Sequence, residues 1–253
     1  MIEVNNISKS FTGRSILQDI SVVFKPGQVN MIIGASGTGK SVLLKCIVGL
    51  EQPDIGEVLY DQRDFTHASR LDRIEIRREI GMLFQGAALF DSKTVEENVK
   101  FPLDILTDTP DDEKLDRVNH VLTRVGLENS NQLMPSELSG GMKKRVGIAR
   151  ALVNNSKYLF CDEPNSGLDP QTSILIDNLI KDLTEEYNTT TVVVSHDMNS
   201  VMEIGDYIMF MFNGEKVWDG AKEDILGAEV EAFNDFVFAN NLMRTLKEQV
   251  NNK

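Results

Sequence analysis

The stretch Gly34-Ala35-Ser36-Gly37-Thr38-Gly39-Lys40-Ser41 decides how the rest of the chain is read. It satisfies the pattern G-x-x-x-x-G-K-[ST], and its flanks suit that pattern. Ahead of it lies a mostly apolar run of strand length, residues 29–33. Behind it, residues 42–48 read as a helix closed by Gly49. A strand, a glycine-rich turn and a helix in that order can turn backbone N–H groups inward around a phosphate, with the positive end of the helix behind them. In such a loop Lys40 would reach the β- and γ-phosphates, and Ser41 would ligate Mg2+.

Working outward, Tyr158-Leu159-Phe160-Cys161 runs into Asp162-Glu163-Pro164. Four apolar residues suit a strand buried in a parallel sheet, and the acids emerge at its carboxyl end, where α/β proteins bind ligands. One carboxylate can hold Mg2+ through water and the next can polarise an attacking water. Alone, such a strand end is structural; downstream of a phosphate loop the catalytic reading takes over. A third segment, Leu138-Ser139-Gly140-Gly141-Met142, opens the basic run 143–152. Ser139 reads as an N-cap, and two glycines at a helix start leave N–H groups open to an anion. By itself this segment reads as an ordinary capped basic helix on the surface.

Further strands are expected at 4–11, 20–24, 57–60, 80–84, 190–195, 207–212 and 215–218, with Asn213-Gly214 as a type I′ hairpin turn. Residues 86–152 read as mainly helical. Within them Thr109-Pro110-Asp111 suggests an N-cap, a first-turn proline and an acid matched to the helix dipole. Asp169-Pro170 opens another helix, with Leu175, Leu179 and Leu183 as its expected buried stripe. Strands alternating with helices, plus a helical insertion, define an α/β fold. The tail, 221–253, is expected to be helical, anchored by Phe233, Phe236, Val237, Leu242 and Leu246. It would pack on a second copy or a regulator, or else cover its own domain.

The 253 residues can bury a sizeable core, and 41% hydrophobic with 26% charged residues is a globular composition. Lys plus Arg number 26 against 39 Asp plus Glu, so the net charge of −13 argues against gripping a nucleic-acid backbone. No apolar run approaches membrane-spanning length and the start has no signal-like segment, so a cytoplasmic protein is expected. Cys46 and Cys161 have neither the number nor the spacing for a disulfide framework or a metal site.

Taken in order, these motifs make residues 1–220 resemble the ATP-binding subunits of ABC transporters. Walker A is at 34–41, the signature at 138–142, Walker B at 158–163 and the D-loop at 165–169. Leu83-Phe84-Gln85 matches the Q-loop, His196 the switch histidine, and Phe11 the aromatic residue that stacks on adenine. The resemblance implies a P-loop NTPase of ABC type: a RecA-like core with an antiparallel β-subdomain and a helical subdomain inserted at about 86–152. It implies ATP sandwiched between two copies of the chain. Gly34, Ala35, Ser36, Gly37, Thr38, Gly39 and Lys40 would hold the phosphates, with Ser41, Gln85 and Asp162 arranging Mg2+. Glu163 would orient or deprotonate water, and His196 would contact the γ-phosphate. Ser139, Gly140 and Gly141, with Asp169, would complete the site, the signature coming from the opposite subunit.

Met142 in the signature, Gly167 in the D-loop, and the runs Gln85-Gly86-Ala87-Ala88-Leu89-Phe90 and Glu97-Asn98-Val99-Lys100-Phe101-Pro102-Leu103 are similar to the Mla/MCE-type phospholipid-transport ATPases. That subgroup implies an MlaE-like membrane permease, an MCE substrate-binding protein and an MlaB-like STAS-domain regulator as partners, on the cytoplasmic face of the inner membrane. Other importers or exporters, a soluble ABC ATPase such as an iron–sulfur assembly factor, and a scaffold without hydrolysis are the competing readings. Retention of both Glu163 and His196 weighs against the last.

Overall fold

The computed structural model describes residues 1–239. Its first half runs β1 (Ile2–Phe11), β2 (Arg14–Phe24), β3 (Gln28–Ile33), α1 (Lys40–Ile47), β4 (Ile55–Tyr60), β5 (Arg63–Asp64), α2 (Arg70–Arg78) and β6 (Ile80–Leu83). Then follow α3 (Val95–Leu106), α4 (Asp111–Arg124), α5 (Gly140–Leu152), β7 (Tyr158–Asp162), α6 (Pro170–Tyr187), β8 (Thr190–Ser195) and α7 (Met198–Ile204). The hairpin β9 (Tyr207–Phe212) and β10 (Glu215–Ala221), a 3₁₀ stretch at Lys222–Gly227 and α8 (Glu231–Val237) complete it.

The strands make two sheets. One is antiparallel in the order β2-β1-β4-β5; the other runs β10-β9-β3-β8-β7-β6, parallel throughout except for β10. Period-two alternation along the parallel strands feeds two separate cores. Met31, Ile33, Leu159, Cys161, Val193, Ile208 and Phe210 face the helices. Ile32, Phe160, Val192, Val194, Met209 and Met211 face the antiparallel sheet and α1. Both faces are covered, which is why these strands are apolar almost without interruption. The loops that carry Lys40, Gln85, Glu163 and His196 leave from their carboxyl ends.

Some expectations need correction. β2 starts at Arg14, six residues earlier than residue 20. Its buried residues there, Leu17 and Ile20, are three apart because Asp19 takes a positive φ of 50° and inserts a bulge, which hides the strand period. Helix α4 is capped by Pro110 itself, whose ψ of 152° is not helical, so Thr109 is not the cap. In α6, Leu175 is 67% exposed; the buried stripe is Ile176, Ile180 and Leu183, at i, i+4 and i+7. Asp169 does cap that helix, accepting from the Thr172 N–H at 3.0 Å.

The described part of the tail covers its own domain. Phe233 is fully buried, stacked on Trp218 at 4.2 Å and beside Phe210 at 5.1 Å, and Val237 is buried with it. Phe236 packs on Phe210 at 5.3 Å. Leu242 and Leu246 lie outside the described residues. Among the described residues no helix is long and apolar enough to cross a membrane. The two cysteines are buried and free; burial pushes the Cys46 thiol up to about 11 and that of Cys161 to about 12.

Candidate functional site

The 34–41 loop joins β3 to α1 through backbone conformations that only glycine accepts easily. A Cβ on Gly34 would stand 2.4 Å from the Met211 carbonyl oxygen, and one on Gly39, where φ is +100°, 2.9 Å from that of Ile16. The loop is thus wedged between the ends of β9 and β2. Ala35, Ser36 and Gly37 form its exposed crest, while Thr38, Gly39 and Lys40 are buried. Thr38 Oγ1 donates to the Ala35 carbonyl at 2.9 Å. Lys40 Nζ donates to the carbonyls of Gly34 (2.8 Å) and Ala35 (2.9 Å), so its ammonium lies across the loop with one proton to spare. Burial lowers the Lys40 pKa, and the Glu163 and Asp162 carboxylates oppose that.

Parallel register brings the remaining groups to the same end of the sheet. Leu83 pairs with Cys161 and Asp162 with Val194, so the residues after β6, β7 and β8 emerge side by side. Ser41 Oγ donates to Asp162 Oδ1 at 3.3 Å. Burial raises the Asp162 pKa, aided by Glu163 and opposed by the Ser41 hydrogen bond and by Lys45 and Lys40. A half-buried carboxylate beside a hydroxyl, with acidic Glu163 next to it, is a hard oxygen set that suits Mg2+. Glu163 leaves β7 with φ at +47°, a strained conformation for a residue with a side chain, fixed by its N–H donating to the Val194 carbonyl at 2.9 Å. That turn aims the carboxylate between two partners: His196 Nδ1 lies 3.1 Å from Oε1, and Gln85 Nε2 donates to Oε2 at 3.3 Å.

Lys40, Ser41, Asp162, Glu163, Gln85 and His196 therefore share one end of the sheet, but Gln85 joins the Glu163 side. Among the described residues no hydrogen bond links it to Ser41 or Asp162. Phe11 ends β1, 40% exposed, with Lys9 Nζ 5.1 Å from its ring centroid. Ser139, Gly140 and Gly141 stand at the start of α5, where the Ser139 hydroxyl accepts from the Met142 N–H at 3.2 Å. Asp169 is engaged with Thr172, which holds its carboxyl below the usual range. Among the described residues no hydrogen bond joins Ser139, Gly140, Gly141 or Asp169 to the 34–41 loop.

Sequence reading missed two cations. Lys144, 4% exposed, donates to the carbonyls of Gln85 and Glu163, the latter at 3.2 Å, and burial lowers its pKa. Arg150 donates to the carbonyls of Ala87 and Ala88, both at positive φ. The run Lys143-Lys144-Arg145 looks like a solvated face. Helical phase was the available signal, since Lys144 lies on the stripe of Gly141 and Ile148, three residues before it and four after.

Residues 17–166 match the ABC transporter family, and the chain belongs to it. The fold is that of an ABC ATPase cassette. Among its relatives is the methionine import ATP-binding protein MetN of Desulfitobacterium hafniense, 38% identical over 99% of this chain and 76% of the relative. Another, mkl of Mycobacterium tuberculosis, is described as a probable ribonucleotide transport ATP-binding protein and is 37% identical over 93% of this chain and 66% of its own. The chain thus spans two-thirds to three-quarters of the length of these two relatives. A solved dimeric ATP-binding cassette in a post-hydrolysis state, bound to ADP and Pi, superposes with a TM-score of 0.80 at 33% identity, covering 87% of this chain and 98% of that one.

Proposed function

We propose that this chain binds and hydrolyses ATP as one half of a nucleotide-sandwich dimer that powers a separate membrane permease. The observation that carries this reading is the pair of contacts made by consecutive residues: Asp162 to Ser41 at 3.3 Å and Glu163 to His196 at 3.1 Å. Lys40 and the amides of 34–39 hold the phosphates, with Phe11 against adenine. Ser41 and Asp162, with Gln85, would hold Mg2+, which when bound offsets phosphate charge. Glu163 orients or deprotonates the attacking water, and His196 holds the γ-phosphate side of it. Ser139, Gly140, Gly141 and Asp169 act on the nucleotide of the second copy, in keeping with the lack of hydrogen bonds from them to the 34–41 loop among the described residues and with the dimeric form of the solved cassette. Lys40→Ala should abolish MgATP binding by the isolated chain; unchanged affinity contradicts the phosphate-loop role.

The cargo we propose is phospholipid, through an MlaE-like permease at the inner membrane with an MCE substrate-binding protein and an MlaB-like STAS-domain regulator. Support comes from the residues similar to the Mla/MCE subgroup. Ala88, Phe90, Phe101 and Pro102 line a cavity of about 300 Å3 between β6 and α3, with Arg78 and Arg150 at its polar side. A cytoplasmic helix of the permease fits such a groove, so these residues select the partner and through it the cargo. Methionine import is the second reading, favoured by the identity to MetN over nearly the whole chain. Co-expression with each type of permease decides. A stable complex with the lipid-type permease that Phe101→Glu breaks is expected; a complex only with the amino-acid type overturns the lipid reading.

A further inference from the structure

Asp177 is an acid in a place where packing alone asks for an aliphatic residue. It lies on α6 and is 3% exposed, with Ile176 and Ile180 buried beside it in sequence. Its Oδ1 accepts from Asn165 Nδ2 at 2.8 Å, and the same amide nitrogen donates to Ser200 Oγ at 3.0 Å. Asn165 sits two residues after Glu163, and Ser200, 2% exposed on α7, sits four after His196. The buried Asp177 and Ser200 thus tie, through the half-buried Asn165, the loop leaving Glu163 to the helix following His196, the two residues that meet at 3.1 Å. The Asn165 Oδ1 atom has no hydrogen-bond partner among the described residues, so the amide is oriented through its nitrogen alone. Asp177 Oδ1 is the shorter of the two acceptors that fix that orientation, Ser200 Oγ being the other.

We propose that Asp177 is a positioning residue that locks the Asn165 loop to α7 and so keeps Glu163 and His196 in register for hydrolysis. This rests on the catalytic reading of Glu163 and His196 given above. The charges acting on Asp177 are acidic: Asp197 at the N-cap of α7 and Glu203 within it, with the protonated Cys161 thiol facing it from β7. Burial is the largest effect and, with those two acids, pushes its carboxyl up to about 6 against the hydrogen bonds from Ser200 and Asn165. The carboxylate form, the stronger acceptor, therefore prevails above that pH and fades below it.

The test is steady-state ATP hydrolysis by the full chain carrying Asp177→Leu or Asp177→Asn, with thermal melts to confirm folding. Leucine fills the space without an acceptor; asparagine keeps a side-chain carbonyl for Asn165. The expected result is a kcat at least ten-fold lower for Asp177→Leu with KM for ATP within two-fold of wild type, and recovery of most of that kcat in Asp177→Asn. A folded Asp177→Leu protein with wild-type kcat overturns the proposal. If the leucine variant does not fold, the ratio of wild-type to Asp177→Asn kcat is followed from pH 5 to 8. A ratio that falls below pH 6 supports the link, and a flat ratio overturns it. Glu163→Gln in the same assay separates the two claims, since wild-type turnover there would mean that the catalytic reading, not the link behind it, has failed.

Discussion

Nδ1 of His196 lies 3.1 Å from Oε1 of Glu163, although the two residues are 33 apart in the chain and leave different strands. The contact exists because β7 and β8 are parallel neighbours whose carboxyl ends align. An imidazole in that position holds the carboxylate, and in the proposed function it also meets the γ-phosphate. His196→Ala is expected to lower kcat by about 10² to 10³ while leaving KM for ATP nearly unchanged, because the contact matters for the reacting arrangement and not for nucleotide capture. Initial-rate kinetics over a range of ATP concentrations check this.

Lys144 braces the backbone under two site residues at once, through the carbonyls of Gln85 and Glu163. Methionine at 144 preserves the stem's packing but leaves both carbonyls without that donor. A loss of about 2–3 kcal/mol in urea unfolding is expected, together with reduced kcat. Unchanged stability would mean that these carbonyls find other donors.

Gly39 holds φ at +100° with the Ile16 carbonyl oxygen closing the space a Cβ would need. Gly39→Ala therefore combines backbone strain of about 1–3 kcal/mol with a displacement of β2 or of the loop. Loss of ATP binding with a lowered melting temperature is the expected outcome, read by calorimetry with and without nucleotide.

Asp177 leaves its mark on stability as well as on turnover. Its carboxyl is held at about 6, above its ordinary 3.8, so the folded state keeps this proton where the unfolded chain has lost it. Its contribution is full below about pH 4 and is lost as the pH rises through 6, on the order of 3 kcal/mol in all. Relative to Asp177→Asn, the wild type should lose stability between pH 4 and pH 7 in urea titrations, with no further relative change above that.

Much of the fold was legible because the parallel strands are buried on both faces and so read as apolar runs; 190–195 and 207–212 match β8 and β9 residue for residue. Local rules failed where one residue breaks a period, as Asp19 does in β2, or where a cap moves by one position, as at Pro110. The site was legible in its motif residues, since a phosphate loop and a strand-end acid carry their context with them. What could not be read was support from afar. Lys144 looks like any lysine in a basic helix, and Asp177 like any acid in a polar one, until packing shows that both are buried. Nothing in the local sequence of α6 marks Asn165 or Ser200 as its partner, because that pairing arises only when α6, α7 and the loop after β7 meet.

The central claim is that Glu163 drives hydrolysis in a site completed by a second copy. Glu163→Gln keeps the size and polarity of the side chain and removes its charge. Turnover and association of this variant should be measured together in MgATP, by phosphate release and by analytical ultracentrifugation. Hydrolysis should fall at least a hundred-fold, with the chain accumulating as an ATP-bound dimer. Wild-type turnover, or a monomer at saturating MgATP, would contradict it.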